Sequence, residues 1–298
     1  MSIVERALDR VRHAERTAER TAERSAERKS DGARSIPAPV QQTSSLVDGR
    51  LQTLAIDYES LRSAGVLPPE SEHRQTTDEF RRIKWPLVRA AFPESGSTEA
   101  NSNLVLVTSS LAGEGKSFVS VNLAFSIALE RGTGVVLVDA DLARPHSSDA
   151  FGVRDRRGLT DLLSGRETDP ERIVLTTDVP GLRLIPAGTL DAAAPELLAS
   201  HRMQELIQWL NGSFPNTIII FDSPPLLASN EAQVLSQLAG QVLLVICADK
   251  TRQSEVHEAV ALLADGPAVK CVLNKMSAAF SRGYGAYYGL SADAAPKS

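Results

Sequence analysis

One short segment combines two glycines, a lysine and a serine at a spacing that suits phosphate binding. It is Ser110-Leu-Ala-Gly-Glu-Gly-Lys-Ser117, preceded by an apolar run typical of a buried strand and followed by a helical pattern. In this context the backbone N–H groups of the loop and the start of the helix cradle phosphates. Lys116 would contact these phosphates, and Ser117 would place its hydroxyl on Mg²⁺. The first position of the G-x-x-x-x-G-K-[ST] pattern holds Ser110 instead of glycine, which leaves a chance glycine-rich turn as the alternative.

Three aspartates lie at the ends of two predicted strands. Asp139 and Asp141 end an apolar run that begins at Val135, and Asp222 ends a second run that begins at Thr217. Strands that are apolar throughout are typical of parallel sheets covered on both faces. Ligands of such sheets bind beyond the carboxyl ends of the strands, so we expect the acids to meet the glycine-rich loop. Carboxylates there suit Mg²⁺ and general-base chemistry, although they could also cap turns.

The order of the predicted elements indicates the fold class. Strands alternate with helices, which predicts an α/β fold of the P-loop NTPase class with a mostly parallel sheet between two helical layers. Later helices are predicted over residues 194–210 and 253–264, and later strands over 241–248 and 270–274. Asn274 closes the last predicted strand at the same sheet edge, where its amide could contact a nucleotide base.

A further helix is predicted before the glycine-rich loop. Thr76 is its expected N-cap, with Glu79 at the third helical position. Pro86 is expected to bend or end it. The helix has an apolar face formed by Phe80, Ile83 and Leu87. Its basic residues are expected to form a solvated face, and they are Arg81, Arg82 and Lys84.

Composition narrows the class of protein. The chain has 298 residues, of which 42% are hydrophobic, and a net charge of −5 that gives no reason to expect nucleic-acid binding. No run approaches the roughly 18 apolar residues of a membrane-spanning helix, and the polar start does not resemble a secretory signal. The two cysteines, Cys247 and Cys271, fall in predicted strands and are expected to be buried, reduced thiols. These features predict a cytoplasmic protein.

The N-terminal arm has a composition of its own. Residues 1–30 contain an apolar stripe followed by a four-residue Ala-Glu-Arg repeat, which predicts a charged helical or disordered arm. Residues 31–50 are rich in Ser, Gly, Pro and Gln and are interpreted as a flexible linker. The arm could be a solvated extension, or residues 3–11 could dock onto a partner or a membrane surface.

Three of the four tyrosines lie together in a C-terminal tail over residues 279–298. Tyr284, Tyr287 and Tyr288 alternate with glycine and show no apolar period, so the tail is expected to be flexible. It could be a disordered segment, supply aromatic contacts to a partner, or bring phenol groups into an active site as substrates. The remaining span, 51–278, is the expected nucleotide-binding domain.

The motifs together resemble the cytoplasmic bacterial tyrosine kinases (BY-kinases) of capsule and exopolysaccharide synthesis. The resemblance covers roughly residues 50–290. Besides the loop and the tyrosine tail, it rests on Val135-Val-Leu-Val-Asp-Ala-Asp-Leu-Ala-Arg-Pro145, Ile218-Ile-Ile-Phe-Asp-Ser-Pro-Pro225, and Pro195-Glu-Leu-Leu198 with Arg202-Met203. Two further segments resemble the exosortase-associated autokinase subgroup, and they are Ser2-Ile-Val-Glu-Arg-Ala-Leu8 and Phe80-Arg-Arg-Ile-Lys-Trp-Pro-Leu87.

The resemblance implies autophosphorylation with ATP and Mg²⁺. Lys116 and Asp141 would be catalytic together with Asp139, the implied base toward a tyrosine hydroxyl. Ser117, Asp141 and Asp222 would hold the metal. Tyr284, Tyr287 and Tyr288 would accept phosphate. The implied nucleotide-binding residues are Ala112, Gly113, Glu114, Gly115, Lys116, Ser117, Phe118 and Asn274.

The resemblance also implies assembly. The family's oligomerisation helix carries E-x-x-R-x-x-R, and the aligned residues here are Asp78, Arg81 and Lys84. Lys84 lacks the planar fork of arginine, which weakens the case for a bidentate contact between subunits. The implied partners are further copies of the chain and a membrane polysaccharide co-polymerase, or chain-length determinant, that would hold the protein at the inner face of the plasma membrane.

Two other classes remain as alternatives. Partition and septum-site ATPases share the fold but carry a signature lysine early in the loop, where this chain has Leu111. A non-catalytic scaffold that switches a polysaccharide export complex on nucleotide binding would keep the same motifs.

Overall fold

A computed structural model describes residues 51–93, 101–263 and 267–276. The described part contains one eight-stranded sheet with strand order β1-β4-β5-β3-β6-β2-β7-β8. Neighbouring strands are parallel except for the antiparallel pair β4–β5. The strands are β1 (Gln52–Leu54), β2 (Leu104–Ser109), β3 (Gly134–Asp139), β4 (Leu175–Thr177), β5 (Leu182–Ile185), β6 (Thr217–Asp222), β7 (Gln241–Cys247) and β8 (Ala268–Asn274).

Nine α-helices of the described residues cover the two faces of this sheet. They are α1 (Tyr58–Ser63), α2 (His73–Ala91), α3 (Lys116–Ala128), α4 (His146–Ala150), α5 (Leu159–Ser164), α6 (Ala194–Leu198), α7 (His201–Ser213), α8 (Asn230–Leu238) and α9 (Gln253–Ala261). Short 3-10 helices lie at Glu70–Glu72 and Pro170–Ile173.

The central strands are apolar throughout because each faces a core on both sides. In β2, Leu104 and Leu106 pack with α5 to α9, whereas Val105 and Val107 pack with α1 to α4. Side chains alternate between the faces of a strand, so a strand between two helical layers needs apolar residues at every position. The predicted three-layer α/β fold is confirmed.

Helix α2 begins earlier than predicted, and of the two predicted effects of Pro86 it does not show an end at the proline. It begins at His73, and Thr76 lies inside it, where its hydroxyl donates to the carbonyl of Glu72 at 3.0 Å. Thr76 is therefore not the N-cap. The helix also continues through Pro86 to Ala91, because burial of the apolar residues beyond the proline holds the helical path despite the missing N–H.

Lys84 does not belong to the predicted solvated face of α2. It is 6% exposed, and its ammonium donates to the carbonyl of Ser126 at 2.8 Å and pairs with Glu130 at 2.5 Å. Arg81 and Asp78 stay exposed and pair with each other at 3.1 Å. The reason is helical spacing, since Lys84 follows Phe80 by four residues and shares its inward face.

Two smaller predictions were also wrong. The helix predicted over 194–210 is two helices, α6 and α7, because Ser200 takes an extended backbone conformation between them. Of the two cysteines, Cys247 is buried as expected, but Cys271 is exposed on β8, the last strand of the sheet. Neither change moves the elements that surround the glycine-rich loop.

Candidate active site

The glycine-rich loop joins β2 to α3 at the carboxyl edge of the sheet. Gly113 and Gly115 take left-handed backbone angles, with φ of 81° and 98°, which residues with a side chain rarely adopt. At Gly115 a side chain is excluded for a second reason, because an added Cβ would lie 2.1 Å from the amide nitrogen of Asn274. No side chain caps the start of α3 at Gly115. This geometry suits the binding of an anion by backbone N–H groups.

Glu114 braces the loop from inside. Its side chain is 3% exposed, and one carboxylate oxygen accepts a hydrogen bond from the Leu111 N–H at 2.7 Å. The other oxygen accepts from the hydroxyl of Thr251, on the turn after β7. The Glu114 side chain therefore stabilises the loop, whose backbone N–H groups are the predicted phosphate ligands. Ser110, the departure from the consensus pattern, is fully buried beside it.

Two of the predicted acids come from neighbouring strands and stand side by side. Asp139 at the end of β3 is in register with Asp222 at the end of β6. Asp222 accepts hydrogen bonds from the hydroxyls of Ser120 at 3.1 Å and Ser147 at 2.5 Å, and Ser117 lies close enough to lower its pKa. The predicted meeting of the strand-end acids with the loop is present in the structure.

The two carboxylate oxygens of Asp139 differ in their hydrogen bonding. Its Oδ2 accepts from both the N–H and the hydroxyl of Ser148, each at 2.7 Å. The same hydroxyl accepts from the N–H of Ala187 at 3.0 Å, which fixes it in turn. Oδ1 is buried and has no hydrogen-bond partner among the described atoms. A buried polar atom of this kind is free to take a proton or to bind a cation.

Burial sets the ionisation of these acids. Burial raises the pKa of Asp139 well above its usual value, the charge of Asp222 raises it further, and the Ser148 bonds oppose the shift. Burial likewise raises the pKa of Asp222, although hydrogen bonds from Ser147 and Ser117 work against it. Asp141 also has a raised pKa because of burial, with Lys116 pulling it down. Two adjacent acids that resist ionisation suit proton transfer or a bound cation.

Asp141 also performs the turn-capping role that was the alternative for these residues. Its Oδ1 accepts the N–H of Arg144 at 3.1 Å. The side chain is still close enough to Lys116 for the lysine charge to influence its pKa. Asp141 therefore has both a local structural role and a position beside the loop.

The donor set fits a magnesium nucleotide. Among the described residues no three His, Cys, Asp or Glu side chains form a metal cage. Mg²⁺ does not need one, because it binds through one or two carboxylates together with phosphates and water. The hydroxyl of Ser117 and the carboxylates of Asp141 and Asp222 could provide such oxygens. A cleft of about 2080 Å³ is lined by Ser117 and Asp141 together with Gly113, Lys116, Phe118 and Asn274, whereas Asp139 and Asp222 are buried below its surface.

Asn274 contacts the glycine-rich loop and the residue that follows it. Its amide nitrogen donates to the carbonyl of Glu114 at 2.9 Å, and its amide oxygen accepts the N–H of Lys275 at 2.9 Å. Each end of the amide makes one contact within the protein, which leaves one N–H and one lone pair of the amide unassigned. Tyr284, Tyr287 and Tyr288 lie outside the described residues, as do the arm and the linker.

Sequence reasoning missed the serines that hold the acids. Ser147 and Ser148 follow Asp139 by eight and nine residues on the short helix α4, and each donates to a different strand-end acid. Their only signal was position, since α4 begins just beyond the carboxyl end of β3. Lys275 was missed as well, and its ammonium donates to the carbonyl of Gly113 at 2.8 Å.

Known proteins share this arrangement of elements. The family model for ParA, described as an NUBPL iron-transfer P-loop NTPase, matches residues 100–266. Tyrosine-protein kinase YwqD of Bacillus subtilis is 34% identical over 171 residues, which are 57% of this chain and 70% of that protein. The chain belongs to the bacterial tyrosine kinases, within the ParA-type P-loop NTPases.

Other bacterial tyrosine kinases match over the same region. The crystal structure of the VpsO kinase domain is 29% identical, with a TM-score of 0.58, and the match covers 70% of this chain and all 100% of that one. A Klebsiella pneumoniae protein named for a tyrosine kinase in a cps region is 32% identical over 189 residues. Those residues are 63% of this chain but 26% of that protein, so the chain corresponds to about a quarter of the longer relative. No helix in the described ranges combines the length and the apolar character needed to cross a bilayer.

Proposed function

We propose that the chain is an ATP-dependent protein-tyrosine autokinase that phosphorylates Tyr284, Tyr287 and Tyr288 in its own C-terminal tail. One observation carries the proposal. Asp139 lies beside Asp222 at the sheet edge where the phosphate-binding loop begins, and it has one buried carboxylate oxygen without a partner among the described atoms, while its other oxygen is held by Ser148. A general base needs a fixed position and a free oxygen, and a pKa raised by burial brings it closer to working pH.

In the proposed reaction the tyrosine oxygen forms a bond to the γ-phosphorus while the bond from that phosphorus to ADP breaks. Asp139 accepts the phenol proton. Lys116 and the backbone N–H groups of the loop bind the phosphates and offset the charge that develops on them. Ser148 keeps Asp139 in one orientation. Phe118 lines the cleft next to Ser117.

Magnesium would be held by the hydroxyl of Ser117 together with the carboxylates of Asp141 and Asp222. When bound, the ion would supply positive charge to the phosphate oxygens. Asp222 already accepts hydrogen bonds from the hydroxyls of Ser120 and Ser147, so it is oriented before any cation arrives.

Labelling with γ-phosphate tests the transfer. The purified chain should incorporate phosphate, a variant with all three tail tyrosines changed to Phe should lose at least about nine-tenths of it, and Lys116→Ala should show none. Tyr58→Phe is the matched control, because Tyr58 is the remaining tyrosine and its hydroxyl is buried. Undiminished label in the triple variant would remove the tail as the acceptor.

A mixing experiment tests transfer between chains. Lys116→Ala keeps the acceptor tyrosines and lacks the catalytic lysine, whereas the triple Phe variant keeps the lysine and lacks the acceptors. We propose transfer in trans within an oligomer, so the Lys116→Ala chain should be labelled only when the two are mixed. If wild-type chains label themselves and the mixture does not, transfer occurs within one chain.

We also propose that the kinase regulates polysaccharide polymerisation or export through a membrane co-polymerase and through self-assembly. The cps-region relative supports the polysaccharide context. Asp78 and Arg81 support the assembly contact, because both are exposed on α2. The partner would place the protein at the inner membrane face. Deleting residues 1–30 should weaken co-sedimentation with membranes that contain the partner, and unchanged binding and activity would remove the arm from that role.

The non-catalytic scaffold makes a different prediction in the same assays. A scaffold would bind ADP and ATP with wild-type affinity and change its assembly state, but mass spectrometry after incubation with ATP would find no phosphotyrosine.

A further inference from the structure

Two consecutive residues at the end of β8 hold two consecutive carbonyls of the glycine-rich loop. The amide nitrogen of Asn274 lies 2.9 Å from the carbonyl oxygen of Glu114, and the ammonium of Lys275 lies 2.8 Å from that of Gly113. The pairs are separated by 160 and 162 residues along the chain. The two contacts therefore form only when the last strand is in place.

These contacts determine the direction of two N–H groups. A peptide unit is planar and trans, so its N–H points opposite to its C=O. The carbonyl of Gly113 shares a peptide plane with the N–H of Glu114, and the carbonyl of Glu114 shares one with the N–H of Gly115. Donors that hold both carbonyls on the β8 side therefore turn both N–H groups away from β8.

The backbone around this contact is shaped for it. Gly115 has φ of 98° and no Cβ, which lets Asn274 approach to a distance at which any side chain would clash. Lys275 itself takes a left-handed φ of 59°, uncommon for a residue with a long side chain. Asn274 supports that turn by accepting the N–H of Lys275 at 2.9 Å. Residues held in such conformations at a loop indicate that the surrounding contacts enforce them.

We propose that Asn274 and Lys275 are positioning residues, which aim the N–H groups of Glu114 and Gly115 at the β-phosphate of a nucleoside diphosphate or triphosphate. They act by holding the outer side of the phosphate loop and do not read the base. The inference rests on the nucleotide-binding part of the proposed function and is independent of whether phosphate reaches tyrosine.

Calorimetric titration of the full-length chain with Mg·ADP and with AMP tests the inference. Lys275→Met removes the donor and keeps the side-chain length, and Asn274→Ala removes the amide. Each should weaken ADP binding about fivefold, which corresponds to about 1 kcal/mol, because the Asn274 bond is uncharged and the Lys275 bond is exposed to solvent. AMP has no β-phosphate, so its affinity should stay within about twofold. Lys275→Arg keeps a donor and should restore ADP binding.

Two controls separate positioning from general damage. Lys250→Met removes an exposed lysine from the turn after β7 and should bind ADP as the wild type does. In steady-state phosphorylation, Lys275→Met should raise the KM for ATP and leave kcat within about twofold, whereas a destabilised protein would lose active sites and therefore kcat. Lys275 is at the surface, so this variant remains informative even if Asn274→Ala fails to fold.

The outcomes distinguish the two proposals. Wild-type affinity for ADP in Lys275→Met, or an equal loss of ADP and AMP binding, would overturn the positioning role while the kinase proposal stands. No ADP binding by the wild type would overturn both. Normal ADP binding by the wild type without tyrosine labelling, combined with the fivefold loss in Lys275→Met, would support the positioning role and reject the kinase.

Discussion

Replacing Lys84 with methionine separates two roles for this lysine, an internal contact between helices and a contact between subunits. In the structure its ammonium donates to the carbonyl of Ser126 at 2.8 Å and pairs with Glu130 at 2.5 Å. Ser126 lies in the last turn of α3, where carbonyls have no partner within the helix and a positive charge is favoured. Lys84 thus ties α2 to the end of α3.

The expected loss of unfolding free energy in Lys84→Met follows from these contacts. A hydrogen bond from a charged donor contributes about 1.5–3 kcal/mol, and removing it leaves the carbonyl of Ser126 without that donor. The Glu130 side chain is 40% exposed, so the ion pair adds little beyond this. Methionine preserves the packing of the aliphatic stem. We expect Lys84→Met to lower the free energy of unfolding by about 2 kcal/mol, which corresponds to a fall in Tm of about 5 °C.

The assay is thermal and urea unfolding of the full chain, with light scattering to measure oligomer size. Arg81→Met is the matched control, because Arg81 lies three residues earlier on α2 and its side chain is 58% exposed. We expect Arg81→Met to leave Tm nearly unchanged and to reduce oligomer size. Lys84→Met should lower Tm and, at temperatures below its unfolding transition, keep the oligomer size of the wild type. A Lys84→Met protein that melts like the wild type but no longer assembles would refute the reasoning.

Three further predictions concern the site. Burial and the charge of Asp222 raise the pKa of Asp139 in the folded protein above its ordinary value of 3.8. The protonated form of Asp139 therefore stabilises the fold fully below pH 3.8, and this stabilisation is lost as the pH rises through the raised pKa. Asp139→Asn, melted without nucleotide or Mg²⁺, should therefore gain more Tm relative to wild type at pH 8 than at pH 4, and an equal difference at both would contradict this. Ser148→Ala should lower kcat for autophosphorylation about tenfold with little change in KM for ATP, and Ser148→Thr should recover part of it. Gly115→Ala should weaken ADP binding at least about tenfold by calorimetry, since it meets both a left-handed φ and Asn274.

The fold and the centre of the site could be predicted because both depend on local patterns. Apolar runs mark strands buried on both faces, and glycines beside Lys116 mark a loop that leads into a helix. Parallel strands place their carboxyl ends at one edge, so acids at the ends of β3 and β6 had to meet there. Asp139 and Asp222 are in register in the structure.

The predicted start and end of α2 were based on short sequence patterns, whereas packing determines where this helix begins and ends. Thr76 followed by Glu79 is a common start of a helix, yet burial of Thr76 within α2 places the start at His73. Pro86 usually ends a helix, but the apolar residues on both sides of it pack against α3 and the sheet. Packing free energy therefore outweighs the local preference at both positions.

By itself, the sequence determined the α/β class, the phosphate-binding loop and the strand-end acids, because periodicity and residue spacing are properties of neighbouring positions. Only the tertiary structure decided which side chains hold those groups in place. Lys84 reaches a carbonyl 42 residues away and Asn274 one that is 160 residues away. A hydrogen bond acts over about 3 Å, and no local pattern records which distant residues folding brings within that distance.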